Sequence, residues 1–141
     1  MTVRVERTFD VEAPPEAVWE FIADPRKRAE PISVVTEYEV TGERTATWHV
    51  KLPIPLVNST IAVETRDTDV DPPEYVRFVG RSKVMRVLGE HELAPHDGGT
   101  RLTNRFTVDG KLPGVEKFFK RNLDEELDNL ERAIRRDVVG E

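Results

Sequence analysis

The feature that most constrains the fold is an apolar stripe of helical period near the C-terminus of a chain that is otherwise mostly strand-like. Within positions 112–141 the apolar residues recur every three or four positions, at Val115, Phe119, Leu123, Leu127, Leu130, Ile134 and Val138. This spacing predicts one long amphipathic helix, and opposite charges four apart, such as Glu116 with Lys120, cover its other faces. Because only one face is apolar, the helix must close over a second apolar surface.

Alternating apolar and polar residues before this helix predict the sheet that supplies that surface. A first strand at 3–11 is followed by two short helices at 16–23 and 26–30, where Pro15 and Pro25 suit first helical positions. Six further strands are predicted at 34–41, 46–52, 61–70, 75–82, 84–93 and 100–108, joined by short turns such as 96–99. Short connections favour an antiparallel order, so we expect an α+β fold with a curved sheet of about seven strands around the long C-terminal helix.

Composition narrows the class of protein. The chain has 141 residues, which predicts one domain over 1–141, and it contains no Cys. A net charge of −6 argues against a nucleic-acid partner, whose phosphates would be repelled. No apolar run approaches the roughly 20 residues that cross a bilayer, so no transmembrane segment is predicted and a cytoplasmic location is expected.

Several motifs resemble a known superfamily. Residues 11–19 (VEAPPEAVW), the Asp24–Pro25 pair, residues 97–103 (DGGTRLT) and the long final helix resemble the SRPBCC superfamily. That superfamily includes START domains, polyketide cyclase-like proteins and the birch-pollen-allergen type, all with a helix-grip fold. Residues 108–116 and the following Phe118–Phe119 further resemble the branch with the carbon monoxide dehydrogenase G subunit and coenzyme Q-binding proteins. The resemblance implies a cavity between sheet and helix that binds an apolar or amphipathic small molecule.

Strand register indicates which residues would line such a cavity. A drug-sized ligand needs a void of roughly 300–1,000 Å³ with mostly apolar walls and a few polar groups. Gly80 and Gly89 also fall on the inward face, where glycine permits close approach. The candidates for ligand binding are Tyr38, Trp48, Val50, Ile61, Val63, Thr65, Phe78, His91, Asn104 and Phe106 from the sheet, and Phe118, Phe119 and Leu123 from the helix.

His91 and Asn104 are the two clearly polar candidates. Both share an inward strand face with apolar residues, and an unpaired buried polar group costs about 1–3 kcal/mol. They can satisfy each other, or they can orient a polar group of a ligand; His91 is also the one candidate for acid–base catalysis. Arg77 and Arg81 should point outward, unless a β-bulge reverses the register and places a cation inside. The three His residues lack ligand spacing, so the sequence predicts no metal and no cofactor.

Two segments combine Pro or Gly with apolar residues, as mobile covers of a pocket do. They are 52–56 and 110–114. Residues 117–121 (KFFKR) could instead contact a membrane surface through basic and aromatic side chains.

Three hypotheses for function follow. The first is a non-enzymatic binder or carrier of a lipid, isoprenoid quinone or polyketide-like compound, because no catalytic motif is present. The second is an enzyme of the polyketide cyclase/aromatase or dehydratase kind that uses the same cavity. The third is an interaction module that docks on a larger redox enzyme or on a membrane surface.

Overall fold

A seven-stranded antiparallel sheet forms the body of the fold in the computed structural model, which describes residues 2–55 and 59–140. The spatial order is β1-β7-β6-β5-β4-β3-β2, so the first strand lies beside the last. The strands are β1 (Thr2–Val11), β2 (Val35–Val40), β3 (Thr45–Val50), β4 (Ile61–Asp71), β5 (Tyr75–Arg81), β6 (Met85–His96) and β7 (Gly99–Gly110). The helices are α1 (Pro15–Ile22), α2 (Pro25–Ala29) and α3 (Val115–Ile134), and a π-helical turn at Arg135–Val139 follows α3. The predicted α+β helix-grip fold is confirmed.

Local signals explain where these elements begin. Pro15 and Pro25 occupy first helical positions, and the Asp24 carboxylate accepts a hydrogen bond from the Arg26 amide at 2.9 Å. The β6–β7 hairpin turns at Asp97 and Gly98, whose φ angles of 48° and 81° are those of a tight two-residue turn.

The start of β7 is held tightly to the end of β1. A Cβ at Gly99 would lie 2.4 Å from the carbonyl oxygen of Val11, so only glycine permits this approach. The Thr100 hydroxyl donates to the Ala13 carbonyl at 2.7 Å. These contacts fix the register in which Val11 faces Thr100 and Thr2 faces Asp109.

The helix α3 lies across the concave face of the sheet, although it is shorter than the predicted 112–141. Gly114 has a φ of 94°, a left-handed conformation that starts the helix at Val115, and the regular hydrogen bonding ends at Ile134. On β1, Arg7 faces the helix and its guanidinium bonds to the Asp128 carboxylate and to the Asp124 carbonyl, the latter at 3.2 Å. Apolar burial and these contacts together hold α3 over the sheet.

The strand arginines point outward, as the register predicts. The Arg77 guanidinium donates to the Thr68 hydroxyl at 2.9 Å on the convex face, and Arg81 is exposed. A register shift does occur, but it lies in β4 between Asp67 and Asp69 and leaves β5 in its predicted register.

Candidate ligand-binding site

A small apolar cavity of about 50 Å³ lies between the concave face of the sheet and α3. Six of the residues that line it belong to the predicted set: Trp48, Val50, Val63, Phe106, Phe119 and Leu123. Nine others line it as well: Ile32, Val34, Val35, Met85, Val87, Val108, Glu126, Leu127 and Leu130. Its walls therefore come from β2, β3, β4, β6, β7, α3 and the segment that joins α2 to β2.

The other seven predicted residues lie away from the cavity. Tyr38 is on the edge strand β2, where its hydroxyl donates to the Glu30 carboxylate at 2.6 Å, and Ile61 is half-buried at the start of β4. The Thr65 hydroxyl is buried and donates to the Ala46 carbonyl at 2.9 Å. Half-buried Phe118 packs edge-on against Phe119. Phe78, His91 and Asn104 form a separate buried group described below.

The cavity is much smaller than the several hundred cubic ångströms that the sequence-based hypothesis requires. About 50 Å³ accommodates a few water molecules and no drug-sized ligand. The α2–β2 segment, with Ile32 and Val34 on the cavity wall, contributes to this closure. Of the two covers predicted from sequence, 52–56 begins with buried Leu52 and ends at Leu56, which lies outside the described residues. Ile54 of that segment lies near Gly114 of the other, 3.8 Å from the position of a Cβ at Gly114.

One hydrogen bond ties the α2–β2 segment to the helix. Glu126 is on the apolar face of α3, with 5 % of its surface exposed, and its Oε1 accepts a hydrogen bond from the Ser33 hydroxyl at 2.7 Å. The Asn129 amide donates to the same oxygen at 3.1 Å. A carboxylate on an apolar cavity wall is costly unless it is hydrogen-bonded, and these two bonds offset part of that cost.

His91 and Asn104 satisfy part of each other's hydrogen bonding. Both are fully buried on neighbouring strands, and His91 Nδ1 donates to Asn104 Oδ1 at 2.7 Å. The His91 ring stacks on Phe78 and meets Phe106 edge-on, with centroids 6.1 and 5.7 Å away. His91 Nε2 and Asn104 Nδ2 have no hydrogen-bond partner among the described residues. The arrangement is a buried polar pair within an aromatic cluster, outside the cavity lining.

A buried ion pair also lies next to Phe78. The Arg28 guanidinium of α2 donates to the Asp67 carboxylate at 2.7 Å, and the exposed fractions of the two side chains are 4 % and 2 %. The guanidinium carbon lies 5.0 Å from the centre of the Phe78 ring, within range of a cation–π contact. Burial lowers the pKa of Arg28 from its usual value, while the negative charge of Asp67 opposes that shift. A cation is therefore present inside the fold, and it comes from α2 rather than from β5.

The burial of His91 has a measurable pH consequence. Burial lowers the pKa of its imidazole to about 3, and the positive charge of Arg28 acts in the same direction. The unfolded chain binds a proton near pH 6.5 while the folded protein does not, so stability falls as the pH drops below that value. For one group, the free energy of unfolding should fall by about 2 kcal/mol between pH 7.5 and pH 5. Urea unfolding at several pH values would measure this loss.

The variant His91→Gln should lack that part of the pH dependence, because glutamine retains a donor for Asn104 but does not titrate. His49→Gln is the matched control, since His49 is on β3 of the same sheet with its side chain partly exposed. This control should keep the pH dependence of the wild-type protein. A wild-type protein whose stability is flat over this interval, or a His91→Gln variant with an unchanged slope, would contradict the assignment.

Glu126 and Arg28, the two buried charged residues that sequence reasoning did not single out, differ in the sequence signal they leave. Glu126 is three positions after Leu123 and four before Leu130, so its place on the apolar face could be read from the helical period. Arg28 belongs to a five-residue helix with neighbouring Arg26 and Lys27, which is too short for a period to single it out.

Within residues 2–55 and 59–140, no group of three or more His, Cys, Asp or Glu side chains is arranged to hold a metal ion. No helix in the same part of the chain has the length and apolarity needed to cross a membrane. At the predicted membrane-contact segment 117–121, Phe119 is buried and lines the cavity.

Comparison with known proteins places this geometry in context. Residues 2–135 match the family model described as polyketide cyclase / dehydrase and lipid transport. A comparison with curated proteins finds no match. The similarity to the carbon monoxide dehydrogenase G subunit branch stays a prediction.

Solved structures share the fold at low sequence identity. A conserved protein from Geobacillus kaustophilus aligns with a TM-score of 0.77 at 17% identity and covers 98% of this chain and 96% of its own. A START superfamily protein from Mycobacterium smegmatis has a TM-score of 0.76 at 14% identity, over 97% of both chains. The Zhui aromatase/cyclase of a Streptomyces species has a TM-score of 0.71 at 21% identity, over 96% of both chains.

Proposed function

The chain belongs to the polyketide cyclase / dehydrase and lipid transport family, and from this premise we propose that it binds an apolar or amphipathic small molecule between the sheet and α3. The observation that carries the proposal is the cavity lining, in which every residue other than Glu126 has an apolar or aromatic side chain. Such a wall excludes strongly hydrated molecules and favours a lipid, an isoprenoid quinone or a polyketide-like compound.

Uptake of a ligand of that size requires the cavity to enlarge, and the α2–β2 segment is the part of the wall with the fewest ties. It bonds to α3 through the Ser33 hydroxyl, to the residue after β3 through the Lys51 amide, which donates to the Val34 carbonyl at 2.8 Å, and to its own neighbours through short backbone turns, Ile32 to Ala29 and Val35 to Ile32, both at 3.1 Å. The rest of the wall belongs to paired strands and to a twenty-residue helix. We therefore assign the opening to residues 31–35, which adds a third cover to the two predicted from sequence.

Native mass spectrometry after mild purification tests the proposal directly. The expected result is a protein that carries a small apolar molecule or takes one up when a panel of fatty alcohols, quinones and aromatic polyketides is added. A protein that takes up none of them would refute the proposal.

A cavity-filling variant makes the test specific to this site. Val35→Trp places a large side chain at a half-buried position of the cavity wall, and it should weaken binding of the apolar dye N-phenyl-1-naphthylamine by at least about tenfold. Fluorescence titration measures the change. Val40→Trp is the matched control on the same strand, because Val40 is 51 % exposed and away from the cavity. Equal binding by both variants would place the ligand elsewhere.

The second candidate function is an enzyme of the polyketide cyclase/aromatase or dehydratase kind. The likeness in fold to an aromatase/cyclase over nearly the whole chain favours it. Such an enzyme holds a reactive chain in a productive shape and needs a group that transfers protons. His91, the candidate from sequence, does not line the cavity. If His91→Gln abolished turnover of a candidate polyketide while its affinity stayed within about tenfold, the enzyme would be favoured over the carrier.

A further inference from the structure

Two residues of the cavity lining, Trp48 and Glu126, each carry a buried polar atom, and the two atoms are of opposite type. The Trp48 indole Nε1 is a donor and the Glu126 Oε2 is an acceptor, and neither has a hydrogen-bond partner among the described residues. Both residues are 5 % exposed. Buried polar groups in folded proteins nearly always have a hydrogen-bond partner. Two unpartnered atoms on residues that line one small cavity therefore point to the polar group of a ligand that could pair with them.

Only one of the two Glu126 oxygens is free to contact a ligand. Oε1 already accepts from Ser33 at 2.7 Å and from the Asn129 amide at 3.1 Å. The side-chain oxygen Oδ1 of Asn129 in turn accepts from the Arg132 guanidinium, which orients the side-chain amide with its nitrogen toward Glu126. This chain of contacts fixes the carboxylate and leaves Oε2 as its unpartnered atom.

We propose that Glu126 is the polar recognition residue of this cavity and that it selects a molecule with a hydroxyl group on an apolar body. The inference rests on the proposed function, because it names the ligand class of the same cavity. A hydroxyl donates to a carboxylate and also accepts from an indole, so it suits both orphaned atoms.

Other head groups suit the two atoms less well. A ketone or an ether accepts from Trp48 but leaves Glu126 Oε2 without a donor. A carboxylate ligand is repelled by the charge of Glu126 at close range. An ammonium donates to Glu126, but it cannot accept from Trp48 and must lose its own hydration in an apolar cavity.

A pair of isomers isolates the hydroxyl from every other property of the ligand. 1-Octanol and heptyl methyl ether have the same atoms, and only the alcohol can donate a hydrogen bond. Calorimetric or NMR titration of the wild-type protein should show about tenfold tighter binding of 1-octanol, the effect of one hydrogen bond to a charged acceptor. Octanoate, the third probe, should bind more weakly than the alcohol.

The variant Glu126→Gln tests the residue. If its Oε1 keeps the bonds to Ser33 and Asn129, its amide nitrogen replaces Oε2 and donates equally to an alcohol or an ether. The preference for 1-octanol should then shrink to within about twofold, while thermal unfolding shows that the variant is folded. Glu125→Gln is the matched control, because Glu125 is on the exposed face of α3, and it should keep the wild-type preference.

The outcomes separate the assignment of a hydroxyl group from the broader proposal that the cavity binds an apolar molecule. A wild-type protein that binds both isomers equally, or a Glu126→Gln variant that keeps the full preference for the alcohol, would overturn the hydroxyl assignment and leave the apolar-ligand proposal standing. A wild-type protein that binds none of the three probes and none of the longer apolar compounds would overturn both.

Discussion

The variant Asp67→Ala is expected to lower the free energy of unfolding by about 3–5 kcal/mol, the usual cost of removing one partner of a buried ion pair. Asp67 is the carboxylate that neutralises Arg28 at 2.7 Å, and neither side chain has more than 4 % of its surface exposed. Without it, the guanidinium would remain over the Phe78 ring as an uncompensated buried charge. Urea unfolding followed by circular dichroism measures the loss.

Two comparisons separate the buried charge from the mere loss of a carboxylate. Asp69 is on the same strand as Asp67, and its exposed carboxylate lies 3.6 Å from the Arg77 guanidinium of β5. Asp69→Ala should cost less than about 1 kcal/mol. The double variant Arg28→Met with Asp67→Ala removes both buried charges and should recover a large part of the loss, because the remaining partner of Asp67, Arg44, is 43 % exposed. If Asp67→Ala cost no more than Asp69→Ala, the pair would not be buried as described.

The variant Gly89→Ala is expected to destabilise the fold by about 3 kcal/mol, at the upper end of what overpacking costs. A Cβ at position 89 would lie 2.1 Å from Cε1 of the Phe78 ring, which crosses directly over the glycine. The ring cannot move aside easily, because Trp48 and Phe106 pack against it with centroids 5.6 and 6.0 Å away. Thermal or urea unfolding gives the magnitude.

A double-mutant cycle ties this cost to the one contact. In a Phe78→Leu background the ring that would clash is gone, so adding Gly89→Ala should cost less than half of what it costs in the wild-type background. The same cost in both backgrounds would mean that Gly89 is required for its backbone conformation rather than for its closeness to Phe78.

The fold could be predicted from sequence because its signals are local and repeat along the chain. Period two marks the strands, period three to four marks α3, and Pro15, Pro25 and the Asp97–Gly98 turn mark the boundaries. The ends of α3 were misplaced most, since a left-handed Gly114 and a π-helical turn leave little trace in an apolar pattern, and the other predicted ends differ from the observed ones by at most three residues.

The candidate site could be predicted only in part, because register tells which way a side chain points and not what covers it. Trp48, Val63 and Phe106 point inward and lie beneath α3 at the cavity, whereas Tyr38 is on the same face near the sheet edge, outside the cavity. The size of the cavity depends on how closely the α2–β2 segment approaches the helix. That approach depends on a tertiary contact, the Ser33–Glu126 hydrogen bond, which a local hydrophobic period does not predict.

The pairing of β1 with β7 sets the order in which the molecule can assemble. Thr2 and Asp109 are neighbours in the sheet although 107 positions separate them along the chain. At a synthesis rate of about 5–20 residues per second, the first strand leaves the ribosome roughly 5–20 s before its partner exists. During that interval β1 lacks its pairing partner, and only weak transient contacts can cover its apolar residues until β7 has emerged. Closure of this edge is therefore a late event in folding, and conditions that slow translation should increase aggregation of the nascent protein.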